Sequence, residues 1–127
     1  MEEYAKARSH YERALEISKQ SLSRYHPYLA ISYDNIGLVY YQLGDCSKGL
    51  SFYEKALEVK QKSLPSNHSD LATSNNLIGS VYEKMGNYSK AAVSYEHAIE
   101  IAQRSIPPND RILQFYRSNL ERVKNRS

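Results

Sequence analysis

The feature that most constrains this chain is that it repeats itself. The stretch HPYLAISYDNIGLVYYQLGDCSKGLSFYEKALEVKQKSLPSN from His26 is followed by HSDLATSNNLIGSVYEKMGNYSKAAVSYEHAIEIAQRSIPPN from His68, an ungapped offset of 42 residues with about 19 positions identical. A period of this length means one small helical or mixed unit per repeat, whose apolar face is buried by its neighbours. The phase runs on past both copies. Upstream, EEYAKARSHYERALEISKQSL matches the second half of the unit and aligns Tyr11 with Tyr53 and Tyr95, and Ala14 with Ala56 and Ala98. Downstream, RILQFYRSNLERVK matches the first half, with Glu121 in place of the repeat's glycine and Lys124 in place of its tyrosine. The predicted organisation is one array over 1–127: the second helix of a truncated repeat (1–25), two full repeats (26–67 and 68–109) and a C-terminal capping helix (110–127).

Each unit carries two helical patterns. Leu29, Ala30, Tyr33, Ile36, Gly37, Tyr40 and Leu43 recur at intervals of three and four, one face of an α-helix. Leu50, Tyr53, Ala56, Leu57 and Leu64 repeat that spacing in the second half. Pro27 suits a first helical turn, where its missing N–H is no loss. Gly44 and Gly86 offer the positive φ of a helix C-terminus, and Pro65 and Pro107 close the second helices. His26 and His68 stand at helix entrances, where a polar side chain satisfies a free N–H. Helices are predicted at 3–22, 27–43, 46–63, 69–85, 88–105 and 110–124. No alternating run or hairpin dipeptide competes with them. Short connections make successive helices antiparallel neighbours, so the predicted class is all-α.

Composition sharpens this picture at one point. The chain has 12 Tyr against 2 Phe and no Trp. In the repeats Tyr alternates with Gly and Ala: small residues let helix backbones approach, and the rings fill the gaps beside them while each hydroxyl stays at a wet edge. The tyrosine excess is therefore structural.

At these positions the repeat resembles the tetratricopeptide repeat, with Tyr33, Ile36, Gly37, Tyr40, Gly49, Tyr53 and Ala56 in the first unit and Asn75, Ile78, Gly79, Tyr82, Ala91, Tyr95 and Ala98 in the second. The 42-residue period, and a proline placed four residues after the usual position, resemble the kinesin-light-chain variety. The resemblance implies a right-handed superhelical stack of antiparallel helix pairs, about six helices in all. It also implies a non-catalytic protein–protein interaction module that takes a peptide segment of a partner in a concave groove. That groove would be lined by Ile31, Asp34, Asn35, Leu38, Tyr41 and Gln42, then Thr73, Asn76, Leu77, Ser80, Glu83 and Lys84, then Phe115, Ser118, Asn119 and Arg122. The two full repeats differ most at these positions. Asn35, Asn76 and Asn119 each carry donors and an acceptor that could clamp a peptide backbone, or could equally cap and hydrate a helix surface.

Other chemistry is not expected. The carboxylates recur in register (Glu12, Glu54, Glu96; Glu16, Glu58, Glu100), as solvated helix faces do, rather than as a pair with separated pKa values. His10 and His97 lack partners at ligand spacing, so no metal and no cofactor are expected. LGDCSKG looks like a phosphate loop, but Leu50 stands where such a loop needs lysine, and the next repeat reads MGNYSKA. Cys46 is a packing residue. The three Asn-x-Ser sequons at Asn67, Asn87 and Asn125 are chance matches, there being no secretory signal. A net charge of +3 with interspersed signs, and only a mild basic tilt at Arg111, Arg117, Arg122, Lys124 and Arg126, argues against a nucleic-acid partner. No run suits a membrane span. A single cysteine fits a reducing, cytoplasmic setting.

The ends differ. The last helix reads as a polar cap, whereas Tyr4, Ala7, Tyr11 and Leu15 of the first lack a partner helix. Two outcomes are expected from that face: a longer array, or self-association. The alternative functional class is the repeat tail of a larger enzyme, such as an ADP-ribosyltransferase or kinase, or a structural spacer.

Overall fold

The computed structural model describes residues 2–21, 25–105, 107 and 110–126. Six α-helices account for nearly all of them: α1 (Glu2–Ser21), α2 (Pro27–Gln42), α3 (Cys46–Ser63), α4 (Ser69–Lys84), α5 (Tyr88–Gln103) and α6 (Arg111–Lys124), with no strand among the described residues. The chain divides into two compact units, Met1–Ser63 and Leu64–Ser127.

Helix starts and stops follow local chemistry. His26 and His68 are the N-caps of α2 and α4, their Nδ1 atoms accepting the amides of Tyr28 and Asp70 at 3.1 Å. Asn87 and Asp110 cap α5 and α6 through Lys90 N (3.2 Å) and Ile112 N (2.8 Å). Gly44 and Gly86 have φ of 87° and 82° and end α2 and α4, with Asp45 N and Asn87 N reaching back to the carbonyls of Tyr40 and Tyr82. The predicted boundaries hold to within two residues. Leu43, Met85 and Arg104 are C-caps rather than helix interior, and α5 stops at Gln103, four residues short of Pro107. The predicted end of the first helix at 22 lies outside the described residues.

In the first unit α2 and α3 are antiparallel. Asp34 meets Lys60, Gly37 meets Tyr53 and Tyr40 stacks on Phe52, partners descending along one helix as they rise along the other. The close approach depends on two glycines: a Cβ on Gly37 would lie 2.9 Å from the Tyr53 ring, and one on Gly49 would lie 3.1 Å from the Gly37 carbonyl oxygen. Helix α1 joins this core through Leu15, which is buried with Leu29, Tyr33, Ile36, Ala56 and Val59. The expectation that Leu15 lacks a partner is therefore wrong, because its side chain turns toward α2. Tyr11 packs on the same cluster while staying half-buried, and Tyr40 donates its hydroxyl to Glu12 at 3.1 Å.

The second unit has three helices, α4 to α6. Tyr95 is fully buried against Gly79, and Ala98, Ile99 and Ala102 pack with Ala72, Leu113 and Tyr116. Val123 closes the other end against Ala91 and Tyr95. Since α5 is antiparallel to both its neighbours, α4 and α6 run parallel, side by side.

Candidate functional site

The residues predicted to line a groove fall on one face of α2 and on the faces of α4 and α6. On α2, Ile31 and Leu38 are 56% and 43% exposed, large apolar side chains in water on a helix whose opposite face is core. Asn35 and Tyr41 are half-buried and Gln42 is exposed. Asp34 is different, because the Lys60 ammonium reaches across from α3 and donates to its Oδ2 at 2.7 Å. Both side chains are largely withdrawn from water, so this pair belongs to the hairpin's own stability as much as to its surface. Beneath it the Tyr53 phenol is pushed up, chiefly by burial and secondarily by the Asp34 charge.

In the second unit the parallel arrangement of α4 and α6 brings predicted residues into mutual contact. Asn119 Nδ2 donates to Asn76 Oδ1 at 2.9 Å, and both residues are buried. One turn on, Arg122 grips Glu83 with two bonds, Nε to Oε2 at 2.6 Å and Nη2 to Oε1 at 2.8 Å, and Nη2 also donates to Asn119 Oδ1 at 3.0 Å. Tyr95 donates its hydroxyl to Glu83 Oε1 at 2.7 Å, with Ser80 Oγ 3.4 Å away. The bonds from Arg122 hold the Glu83 carboxyl below the usual carboxylate range, and the same contact raises the guanidinium. Burial pushes the Tyr95 phenol up to about 12. Glu83 is thus a fixed, neutralised anion, unsuited to moving protons near neutral pH.

Beside this ladder Thr73, Phe115 and Ser118 are exposed, Phe115 at 57%, while Leu77 is half-buried and Lys84 exposed. The surface therefore offers one large aromatic side chain, small hydroxyls and an immobilised polar floor. Among the described residues no three His, Cys, Asp or Glu side chains converge as a metal site requires, and no helix is long and apolar enough to cross a membrane.

The sequence pattern singled out these positions as a candidate groove without showing that four of them bond to one another. A usable signal was present: the partners are 43 and 39 residues apart, close to the 42-residue period, as expected of first helices lying in parallel. It also missed Lys60, because the same register position is Ser18 in α1 and Ala102 in α5.

A family model described as tetratricopeptide repeat matches residues 1–62 and 35–104. No curated protein matches the chain by sequence. Among solved structures, BtubC (BKLC) from P. vanneervenii is 25% identical with a TM-score of 0.90, the alignment covering 97% of this chain and 49% of that one. A kinesin-light-chain-type protein of nearly identical TPR-like repeats from Podospora anserina is 18% identical with a TM-score of 0.85, covering 94% of this chain and 57% of that one. The N-terminal domain of stress-induced protein-1 (STI-1) from C. elegans is 19% identical with a TM-score of 0.66, covering 91% and 77% respectively. This chain spans about half the length of the BtubC chain it matches.

Proposed function

Because the chain belongs to the tetratricopeptide repeat family, whose repeats generally mediate protein–protein interaction, we propose that it is a non-catalytic module, acting in the cytoplasm, that binds a peptide segment of a partner protein on its first-helix faces. The supporting observation is the exposure of Ile31 and Leu38 on α2 and of Phe115 on α6, each flanked by polar side chains that can meet a peptide backbone. In the second unit the Asn76–Asn119 and Glu83–Arg122 bonds hold that surface in one shape, so little ordering is required when a peptide arrives.

A displayed library of random peptides selected against the chain tests this. Selected peptides should lose about tenfold or more in affinity when Phe115 or Leu38 is changed to Ala, the range of an interface anchor. Asn35→Ala probes the clamp. Asn76→Ala is a poor probe, since it removes an acceptor that Asn119 uses inside the unit. Selected peptides that bind all three variants as tightly as the parent chain would exclude this surface.

A further inference from the structure

A cleft of about 480 Å³ opens in the first unit, lined from α1, α2 and α3. It lies on the side of α2 away from Ile31 and Leu38, because Leu29 and Tyr33, four residues apart, share the opposite helix face. Leu29, Tyr33 and Val59 form its floor and are all buried, and half-buried Tyr25 continues the apolar lining. Three exposed charged side chains stand at the rim: Lys19 from the last turn of α1, and Lys55 and Glu58 from α3. The Lys55 ammonium is held over aromatic faces, 5.1 Å from the centroid of the Phe52 ring and 6.0 Å from that of Tyr33. Among the described residues no carboxylate forms an ion pair with Lys19 or Lys55. The rim thus carries positive charge in excess over an apolar floor.

Helix pairing does not require this set of residues. One repeat later the positions of Lys19, Tyr25, Tyr33 and Lys55 hold Gln61, Asn67, Asn75 and His97, and the second hairpin forms without those cations and rings.

We propose that the cleft binds a small amphipathic monocarboxylate, with an aromatic or alkyl body on Leu29, Tyr33 and Val59 and the carboxylate toward Lys19 and Lys55. The volume falls in the range of small-molecule sites, roughly 300–1,000 Å³, which combine apolar walls with a few polar groups that fix orientation. Charge selects the head group. A cation meets two ammoniums, and a dianion brings a second negative charge against Glu58, whereas one carboxylate matches two lysines offset by one glutamate. Because Lys55 already rests on its rings, its ordering on binding costs little.

The test titrates the isotope-labelled full chain with phenylbutyrate at neutral pH and follows amide chemical shifts. Saturation is expected at a dissociation constant of about 1 mM or below, with the shifts concentrated at Tyr25, Leu29, Tyr33 and Val59 rather than at Ile31 and Leu38. Phenylbutanol, of the same shape without the charge, should bind at least about fivefold more weakly, and phenylbutylamine should not saturate. Lys19→Met with Lys55→Met should weaken phenylbutyrate about tenfold, and Glu58→Gln should tighten it about twofold; both rim variants change exposed side chains, and helical circular dichroism checks that they fold. No saturation by about 10 mM, binding at such concentrations only, equal binding of the alcohol, or full affinity in the double lysine variant overturns the proposal. So do shifts that map to the Ile31 and Leu38 face instead.

Discussion

At the scale of single residues the fold turns on glycine used in two different ways. Gly79 is needed for space: its missing side chain is where the Tyr95 ring sits, and that ring is fully buried and has nowhere to move. Gly86 is needed for conformation: its φ is 82° with nothing within reach of a Cβ. Gly79→Ala should lower stability by about 1–3 kcal/mol through overpacking, and Gly86→Ala by about 1–2 kcal/mol through backbone strain. Asparagine separates the two causes in denaturant melts. Gly86→Asn should recover part of the loss, because Asn tolerates left-handed backbone, while Gly79→Asn should be worse than Gly79→Ala. If the two asparagine variants rank the other way, both assignments are wrong.

At the scale of elements, hairpins and neighbouring helices are held by ion pairs of unequal worth. Asp34–Lys60 is largely buried, so Asp34→Ala leaves an ammonium out of water without its carboxylate and should cost about 3 kcal/mol, whereas Asp34→Leu with Lys60→Met should recover most of it. A double-mutant cycle measures this, and an additive result would show the pair to be irrelevant. Glu83–Arg122 is bidentate but Arg122 is 45% exposed, so Glu83→Gln should cost only about 1 kcal/mol at neutral pH. Its pH dependence carries a sign. The folded carboxyl lies below its unfolded value of 4.5, so its contribution is present above pH 4.5 and is lost as pH falls through the folded value. The Glu83→Gln variant should therefore converge with the parent chain in acid melts. A gap that widens below pH 4.5 would contradict this reading.

At the scale of the molecule, burial of tyrosine hydroxyls sets the alkaline limit. Tyr53 and Tyr95 lie in different units and both phenols are raised above 10.0, the first cause in each case being burial. Each contributes stability that is full below pH 10.0 and declines as pH rises toward the folded values, because the unfolded chain ionises first. A fraction of the phenolate absorbance should lag and appear only together with loss of helical circular dichroism. Replacing both residues with Phe should move helix loss to higher pH, and a single-stage titration with intact helices would rule the idea out.

The sequence by itself determined where the helices begin and end, which face of each is apolar, and that the chain belongs to a repeat class, because caps, glycine turns and three-to-four spacing are local properties repeated at a constant period. The positions later proposed for binding were legible for the same reason: they differ between the two full copies while the packing positions agree. What the tertiary structure decided is how those positions are used. Asn76 and Asn119 bond to each other, Glu83 is held by Arg122 and Tyr95, and Asp34 is drawn into a pair with Lys60. Each of these contacts depends on distances across helices, which a linear pattern specifies only once the parallel or antiparallel placement is known.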